Sequence, residues 1–141
     1  MGSSGAPPFE VRPIGHVESP LADRALAPRQ GDEGAPEAVL AIDADAWVGC
    51  ADLRPGDEIV VITWLHLADR DQLVVRPRDE ASRPLTGVFS TRSADRPNPI
   101  GLHQVEIVAI DGGAIRVRPL EAVDGTPILD IKPTIGRPGA R

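Results

Sequence analysis

Proline and glycine recur so often in this sequence that only short secondary-structure elements fit between them. The 141 residues include 15 prolines and 14 glycines, about one residue in five. That share is high for long helices, yet it lies below the level typical of disordered chains without a repeat. A chain of this length also matches one globular domain with its own core. The sequence therefore predicts one compact domain with many turns and short strands.

Short apolar runs lie between the turns and predict strands. Residues 59–65 form the most apolar run, rich in β-branched side chains and without alternation, so we expect a strand buried on both faces. Residues 105–109 alternate in polarity, and Asp111-Gly112-Gly113 then predicts a hairpin turn. The other predicted strands are residues 9–17, 38–42, 72–76, 87–91, 115–118 and 128–131. Seven or eight mostly antiparallel strands, with at most one short helix near residues 44–53, predict an all-β fold, a small β-barrel.

The net charge and the single cysteine exclude several classes of protein. The net charge is -6 and there is no basic tail, so an anionic partner must be bound by a local patch. Cys50 is the only cysteine, which excludes an intramolecular disulfide and fits a reducing cytoplasm. No apolar run approaches the roughly 20 residues that span a bilayer, and the first residues lack the regions of a signal peptide. We therefore expect a soluble, cytoplasmic protein that does not contact a membrane.

The sequence contains no motif for a metal or for a nucleotide-phosphate loop. Its three histidines, His16, His66 and His103, form no helical pair, so no metal is predicted. There is no strand-to-helix Gly-x-Gly-x-x-Gly and no Gly-Lys-Ser/Thr loop. We expect residues 1–8 to be a flexible leader, residues 9–133 to form the β-barrel domain, and residues 134–141 to be a ragged tail.

Two segments carry dense polar chemistry inside a proline and glycine frame: residues 87–103, GVFSTRSADRPNPIGLH, and residues 124–133, DGTPILDIKP. Pro97 and Pro99 fix their own φ and restrict Asn98, so this loop is pre-organised. Because prolines lack N–H donors, we expect carbonyl oxygens without internal partners, which suit a sulfonium or an adenine amine. Gly101 permits a close backbone approach. On these residues alone, a loop that merely turns a corner in a barrel is an equally good interpretation.

Both segments resemble the two signature segments of the TsaA family, also called YaeB-like or TrmO-like. The resemblance extends to Ser19-Pro20, Pro28-Arg29-Gln30, Trp64 with His66, and Arg76-Pro77, and covers about residues 9–133. It implies a β-barrel domain that forms a homodimer and binds S-adenosylmethionine. It also implies a methyltransferase that acts on tRNA, at the exocyclic amine of threonylcarbamoyl-adenosine next to the anticodon.

The resemblance implies which residues bind the cofactor and the substrate. The expected cofactor-binding residues are Arg92, Ser93, Arg96, Asn98, Pro99, Ile100, Gly101, His103 and Thr126. The expected substrate-binding residues are Arg29, Gln30, His66 and Arg76. For each residue type an ordinary structural role remains an alternative: exposed arginines on a solvated surface, an asparagine that completes its own turn, or a histidine buried in a strand.

Methyl transfer requires alignment of the acceptor, the methyl carbon and the sulfur, and a rigid loop provides it. An adenine amine must also lose a proton, so a carboxylate base would help. Asp124 and Asp130 are the candidates, and Lys132 is expected to pair with Asp130 or to bind the substrate. An equally good interpretation of Asp124 before Gly125 is that the aspartate stabilises an ordinary turn.

The nature of the acceptor stays open between several alternatives. The acidic balance and an aromatic content of 3%, with no tyrosine, argue against RNA, which proteins usually recognise by stacking on aromatic rings. The sequence also stops soon after the second segment, whereas longer family members continue. The alternatives to tRNA are a small-molecule acceptor and a non-catalytic barrel that binds S-adenosylmethionine.

Overall fold

Eight short strands account for most of the regular structure. The structure is a computed structural model that describes residues 8–22, 35–76 and 82–141. The strands are β1 Gly15–Glu18, β2 Ala38–Ile42, β3 Glu58–Trp64, β4 Val74–Val75, β5 Thr86–Gly87, β6 Ile100–Asp111, β7 Ala114–Arg118 and β8 Pro127–Pro133. All their pairings are antiparallel. The predicted all-β fold is confirmed.

Six of the strands close into a barrel in the order β1-β2-β7-β6-β3-β8. The ring closes where β8 pairs with β1, with Ile128 opposite Gly15. Strands β4 and β5 form a separate two-stranded sheet in the connection between β3 and β6. Closure gives each of the six wall strands a paired neighbour on both sides, so the barrel has no free edge strand.

The barrel interior is the hydrophobic core. Alternate residues of a strand point to opposite faces, so every second side chain of the wall is buried inside. The fully or almost fully buried apolar residues are Val17, Leu40, Ile59, Val61, Val88, Ile107, Ile115, Val117, Leu120 and Ile128. In β3 the burial alternates, and only the inward face is buried. The prediction that residues 59–65 are buried on both faces was therefore wrong, because the outward side chains are only half covered.

The connections divide the barrel into two different ends. The end that we call the loop end is where β1 leaves and β2 begins, and where residues 65–99 and 119–126 join their strands. The opposite end, the hairpin end, holds residues 43–57 and the turn at Gly112 and Gly113. Both glycines have positive φ, 51° and 89°, as a tight hairpin requires. The predicted hairpin turn is confirmed.

Several local predictions needed correction. The helix near residues 44–53 is a 3₁₀ helix, Ala44–Cys50. Residues 87–91, predicted as a strand, contain a 3₁₀ helix at Val88–Ser90. Residues 134–141 make backbone hydrogen bonds with Glu58 at both its N–H and its carbonyl oxygen, instead of forming a ragged tail. Within the described residues, no helix is long and apolar enough to cross a membrane.

Candidate functional site

The two signature segments join the barrel on either side of the same residue. Thr63, near the end of β3, pairs with Gly101 of β6 and with Ile128 of β8. The first segment therefore reaches the wall on one side of β3, and the second reaches it on the other side. The topology brings both segments to the loop end, which makes this end the candidate site.

Hydrogen bonds from neighbouring residues fasten the first segment. The carbonyl oxygen of Pro97 accepts from Arg70 Nε at 2.7 Å, and that of Pro99 accepts from Leu65 N at 2.8 Å. The expectation of carbonyl oxygens without internal partners was therefore wrong. The loop is pre-organised by these bonds as well as by its prolines.

Arg70 is a residue of the site that the sequence did not reveal. Its guanidinium carbon lies 5.0 Å from the centroid of the Trp64 ring, and its Nη2 donates to Asn98 Oδ1 at 3.2 Å. A cation over an aromatic face is attracted by the ring quadrupole. Arg70 thus anchors the Asn98 side chain to the end of β3. A single arginine inside an Asp-Arg-Asp turn gave no spacing signal for this contact.

Arg96 and Arg92 lie in different surroundings. Arg96 donates to the carbonyl oxygens of Val88, Thr91 and Ser93 at 2.9–3.0 Å. Its guanidinium thereby closes the loop that follows the second 3₁₀ helix, which explains why this stretch is not a strand. Arg92 is exposed, whereas Ser93 is half-buried and accepts from Asp95 N.

His103 lies inside the barrel and not on its surface. Its Nε2 lies 2.7 Å from Thr63 Oγ1, and its Nδ1 lies 2.5 Å from Glu121 Oε1. Both ring nitrogens are thus occupied by the protein. A Cβ at Gly101 would lie 2.5 Å from Thr63 Oγ1 and 2.7 Å from His103 Nε2. The absence of a side chain at Gly101 therefore allows the backbone to pack closely against the buried side chains of Thr63 and His103.

The second segment is held by its first residues. Asp124 Oδ1 accepts from Ser19 N at 3.0 Å, and the Oγ1 of buried Thr126 donates to the carbonyl oxygen of Val123 at 2.7 Å. Gly125 between them has a φ of 84°, which favours glycine. Asp124 therefore fastens its turn to the end of β1, and its carboxylate lies at the loop end.

Asp130 and Lys132 lie away from the loop end. They are exposed on the outer face of β8, with 3.6 Å between Lys132 Nζ and Asp130 Oδ2, so the predicted pairing of the two is confirmed. Asp130 pairs with Ile62 and Ile128 with Thr63, so Leu129 forms a bulge. An extra residue reverses which side chains face outward. Of the two candidate bases, only Asp124 lies with the other site residues.

The remaining predicted residues lie in the long connection or outside the described residues. His66 is exposed in the turn after β3, and Arg76 donates to the carbonyl oxygen of Arg83. Arg29 and Gln30 lie outside the described residues. Within the described ranges, no cluster of His, Cys, Asp and Glu side chains could hold a metal. A depression on the outer wall, lined by Glu58, Gln104, Glu106 and Arg118 among others, contains no residue of either segment.

Comparisons with known proteins identify the family to which the chain is similar. A family model described as the tRNA-methyltransferase O N-terminal domain matches residues 16–137. The chain is 44% identical over 125 residues to a probable S-adenosyl-L-methionine-binding protein of Methanothermobacter thermautotrophicus, covering 89% of each. It is 41% identical over 122 residues to an S-adenosyl-L-methionine-binding protein of Archaeoglobus fulgidus, covering 86% of each.

The fold of the chain is similar to that of solved structures. A crystal structure of TrmO from Pseudomonas aeruginosa superposes with a TM-score of 0.69 at 26% identity. The match covers 94% of this chain and 57% of that one. The chain therefore spans most of the two archaeal relatives but little more than half of the solved TrmO chain.

Proposed function

Because the chain belongs to the tRNA-methyltransferase O N-terminal domain family, we propose that it is an S-adenosylmethionine-dependent methyltransferase whose cofactor binds at the loop end of the barrel. The observation that carries this proposal is the meeting of both signature segments on either side of Thr63. Two relatives that are at least 41% identical are named for binding S-adenosyl-L-methionine. Their printed names support the choice of cofactor.

The exposed side chains of the loop end fit the parts of S-adenosylmethionine. Ile100 is 47% exposed and offers an apolar surface to the adenine ring. The amide of Asn98 can donate and accept, and the Arg92 cation suits the methionyl carboxylate. When bound, this cofactor supplies an electrophilic methyl group on a sulfonium.

The chain's own residues would orient the reactants and accept a proton. Pro97, Pro99 and Arg70 hold Asn98 in place, which removes much of the entropy loss on binding. Asp124 keeps a carboxylate at the loop end while it anchors the backbone of Ser19. Such a fixed carboxylate can accept the proton that an amine acceptor loses. Asp130, on the outer wall, takes no part in this scheme.

The proposed acceptor is the exocyclic amine of threonylcarbamoyl-adenosine next to the anticodon of tRNA. The matched family is described by its tRNA methyltransferase, which supports a tRNA acceptor. We place the reaction in the cytoplasm, where a single buried free thiol such as Cys50 stays reduced.

A small-molecule acceptor is the second candidate, and one observation favours it. Arg96 and Arg76, two arginines that could otherwise bind phosphates, donate to carbonyl oxygens of their own connection. Fewer arginines are then left for phosphates. Binding of tRNA whose affinity falls steeply with salt concentration would favour RNA, and undetectable tRNA binding would favour the small molecule.

We further propose a homodimer formed through the outer face of β3 and β6. Trp64 pairs with Ile100 and Ile62 with Leu102, so four large apolar side chains lie together on the outer wall. Leu102 is 49% exposed. Contiguous apolar surface of this kind is typical of association sites. Ile100 borders the loop end, so the partner would lie next to the cofactor.

The dimer can be tested by light scattering over a dilution series. Leu102→Glu should give a monomer at concentrations where the unchanged protein is a dimer, because it places a charge in the apolar face. Val39→Glu, on the outer face of β2 across the barrel, is the matched control and should remain dimeric. A monomer at all concentrations of the unchanged protein would contradict the proposal.

Cofactor binding can be tested by calorimetry and by thermal unfolding. S-adenosylmethionine should bind and raise the unfolding temperature, and Asn98→Ala should weaken binding about tenfold. Gln104→Ala removes an exposed amide from the outer wall of β6 and is the matched control. Absence of binding by the unchanged protein would contradict every methyltransferase interpretation.

The acceptor can be tested by mass spectrometry of threonine tRNA from cells with and without the gene. Loss of the methylated threonylcarbamoyl-adenosine in the deletion strain, and its return with the unchanged gene but not with the Asn98→Ala gene, is the expected result. An identical nucleoside profile in all strains would exclude this acceptor.

A further inference from the structure

Three polar side chains form a hydrogen-bonded chain inside the loop end of the barrel: Glu121, His103 and Thr63. The two hydrogen bonds measure 2.5 Å and 2.7 Å. Thr63 is 0% and His103 4% exposed, and the Glu121 side chain is 15% exposed. Burying such groups lowers stability unless each is paired. Since the other buried side chains of the described residues are apolar apart from Asp57 and Thr126, the chain of polar residues is not needed merely to fill the interior.

The His103 ring links the other two side chains. An ionised carboxylate only accepts, so His103 Nδ1 donates to Glu121. Nε2 shares the second hydrogen bond with the Thr63 hydroxyl, which can donate or accept. The whole chain, which we call the Glu-His-Thr relay, is satisfied only when all three side chains keep their positions.

The relay connects the two signature segments. Glu121 lies three residues before Asp124 in the connection that leads to β8. His103 lies two residues after Gly101 on β6, and Thr63 pairs with both Gly101 and Ile128. A movement of one segment would therefore stretch a hydrogen bond to an element that carries the other.

Gly101 completes this arrangement. A Cβ at this position would lie within 2.7 Å of both Thr63 Oγ1 and His103 Nε2, and real side chains do not approach so closely. Only glycine leaves the hydrogen bond between these two atoms undisturbed. The glycine of the RPNPIG segment and the relay are thus parts of one structural unit.

We propose that Glu121, His103 and Thr63 are positioning residues that lock the two signature segments into one arrangement and thereby set the affinity of the loop end for S-adenosylmethionine. None of the three needs to touch the cofactor. The effect on affinity rests on the function proposed above, whereas the mechanical coupling of the segments does not depend on any ligand. Each part has its own experiment.

The coupling is tested without ligand, by amide hydrogen exchange on the full chain. Thr63→Val removes the hydroxyl at nearly constant volume. We expect it to speed exchange of the Asp124 and Gly125 amides, at the far end of the relay, about tenfold. Thr63→Ser keeps a hydroxyl and should restore slow exchange. Val61→Ala, a neighbouring inward position of β3, controls for general loss of stability.

A second variant approaches the relay from its other end. Glu121→Leu removes the carboxylate at a partly exposed position, so the protein is expected to fold even if Thr63→Val does not. It should speed exchange of the Ile100 and Gly101 amides, which lie in the other segment. Exchange at Asp124 and Gly125 that is unchanged in Thr63→Val, or exchange at Ile100 and Gly101 that is unchanged in Glu121→Leu, would overturn the coupling.

The effect on the cofactor is tested by calorimetry on the same variants. Thr63→Val should raise the Kd for S-adenosylmethionine about tenfold, and Thr63→Ser should leave it within about twofold. Val61→Ala should lower the unfolding temperature without changing the Kd. An unchanged Kd in Thr63→Val would overturn the positioning role. If the unchanged protein binds no S-adenosylmethionine, the proposed function and the effect on affinity fail, while the exchange data still decide the coupling.

Discussion

The two ends of the barrel are closed by different kinds of contact. At the hairpin end, Trp47 and Leu53 pack against the core, next to buried Cys50. At the loop end, Leu120 and Ala122 also pack into the core, but the buried positions include Thr63 and His103, whose side chains are joined by a hydrogen bond. Apolar packing is non-directional and scales with the area buried, whereas a hydrogen bond requires a particular distance and angle.

This difference predicts that contacts at the hairpin end mainly determine the free energy of unfolding, whereas contacts at the loop end mainly determine the positions of the two signature segments. Burying a large apolar side chain stabilises a fold by about 1.5–3 kcal/mol, whereas one hydrogen bond contributes about 0.5–1.5 kcal/mol net. Substitutions at the hairpin end should therefore act mainly on unfolding. Substitutions at the loop end should act mainly on the geometry of the two signature segments, and through it on ligand binding.

The largest expected effect belongs to Ile107→Ala. Ile107 is 1% exposed, and its backbone bonds to Gly56 and Asp57 at the hairpin end. Truncation of such a side chain lowers the free energy of unfolding by about 2–5 kcal/mol, measurable by denaturant titration. The Kd for S-adenosylmethionine should not change at temperatures well below unfolding. Val108→Ala, half-buried on the outer face, should cost less than about 1 kcal/mol.

Gly101→Ala is expected to have the next largest effect, and it tests the loop end. The added methyl group would press against Thr63 Oγ1 and His103 Nε2, and overpacking of this kind costs about 1–3 kcal/mol. Unlike Ile107→Ala, it should also weaken cofactor binding. Gly87→Ala is the matched control, because nothing lies within 4 Å of a Cβ at that position. An unchanged Kd in Gly101→Ala would break the distinction between the two ends.

Arg96→Lys should have a smaller, local effect. The substitution removes the planar group that donates to Val88, Thr91 and Ser93, at a cost of about 1 kcal/mol. Amide exchange of Thr91, which donates to the Val88 carbonyl oxygen, should become faster. The exposed Arg92 offers the matched control, since Arg92→Lys should leave that exchange rate unchanged while it weakens cofactor binding.

The fold class and the two segments that form the candidate site were predictable because they depend on local signals. Proline and glycine mark the turns, alternation at residues 105–109 marks a wall strand, and Gly112-Gly113 marks the hairpin. The two signature segments were recognised by resemblance. Their meeting at one end then follows from antiparallel closure.

The partners of individual side chains were not predictable, because they depend on register. Asp130 faces outward only because Leu129 forms a bulge against β3. His103 meets Glu121, 18 residues later in the sequence, only after β6 and β7 have closed their hairpin. Arg70 reaches Asn98, which lies 28 positions later in the sequence. No spacing rule in the sequence encodes such distant contacts.

The smallest expected effect concerns Cys50, which tests whether the hairpin end stays closed. Burial raises the pKa of the Cys50 thiol above its ordinary value, because desolvation disfavours the thiolate. The unfolded chain then loses this proton at a lower pH than the native protein does. The resulting contribution to stability is complete below the unfolded pKa and is lost as the pH rises through the native pKa.

Two measurements on Cys50 check this expectation. A thiol reagent should label the native protein much more slowly than the denatured chain, since the thiolate is the reactive form. Raising the pH from about 7 to about 10 should lower the denaturation midpoint slightly more in the unchanged protein than in Cys50→Ala. Labelling of the native protein as fast as that of the denatured chain would mean that the hairpin end opens readily. In that case apolar packing would not close this end more firmly than hydrogen bonds close the other.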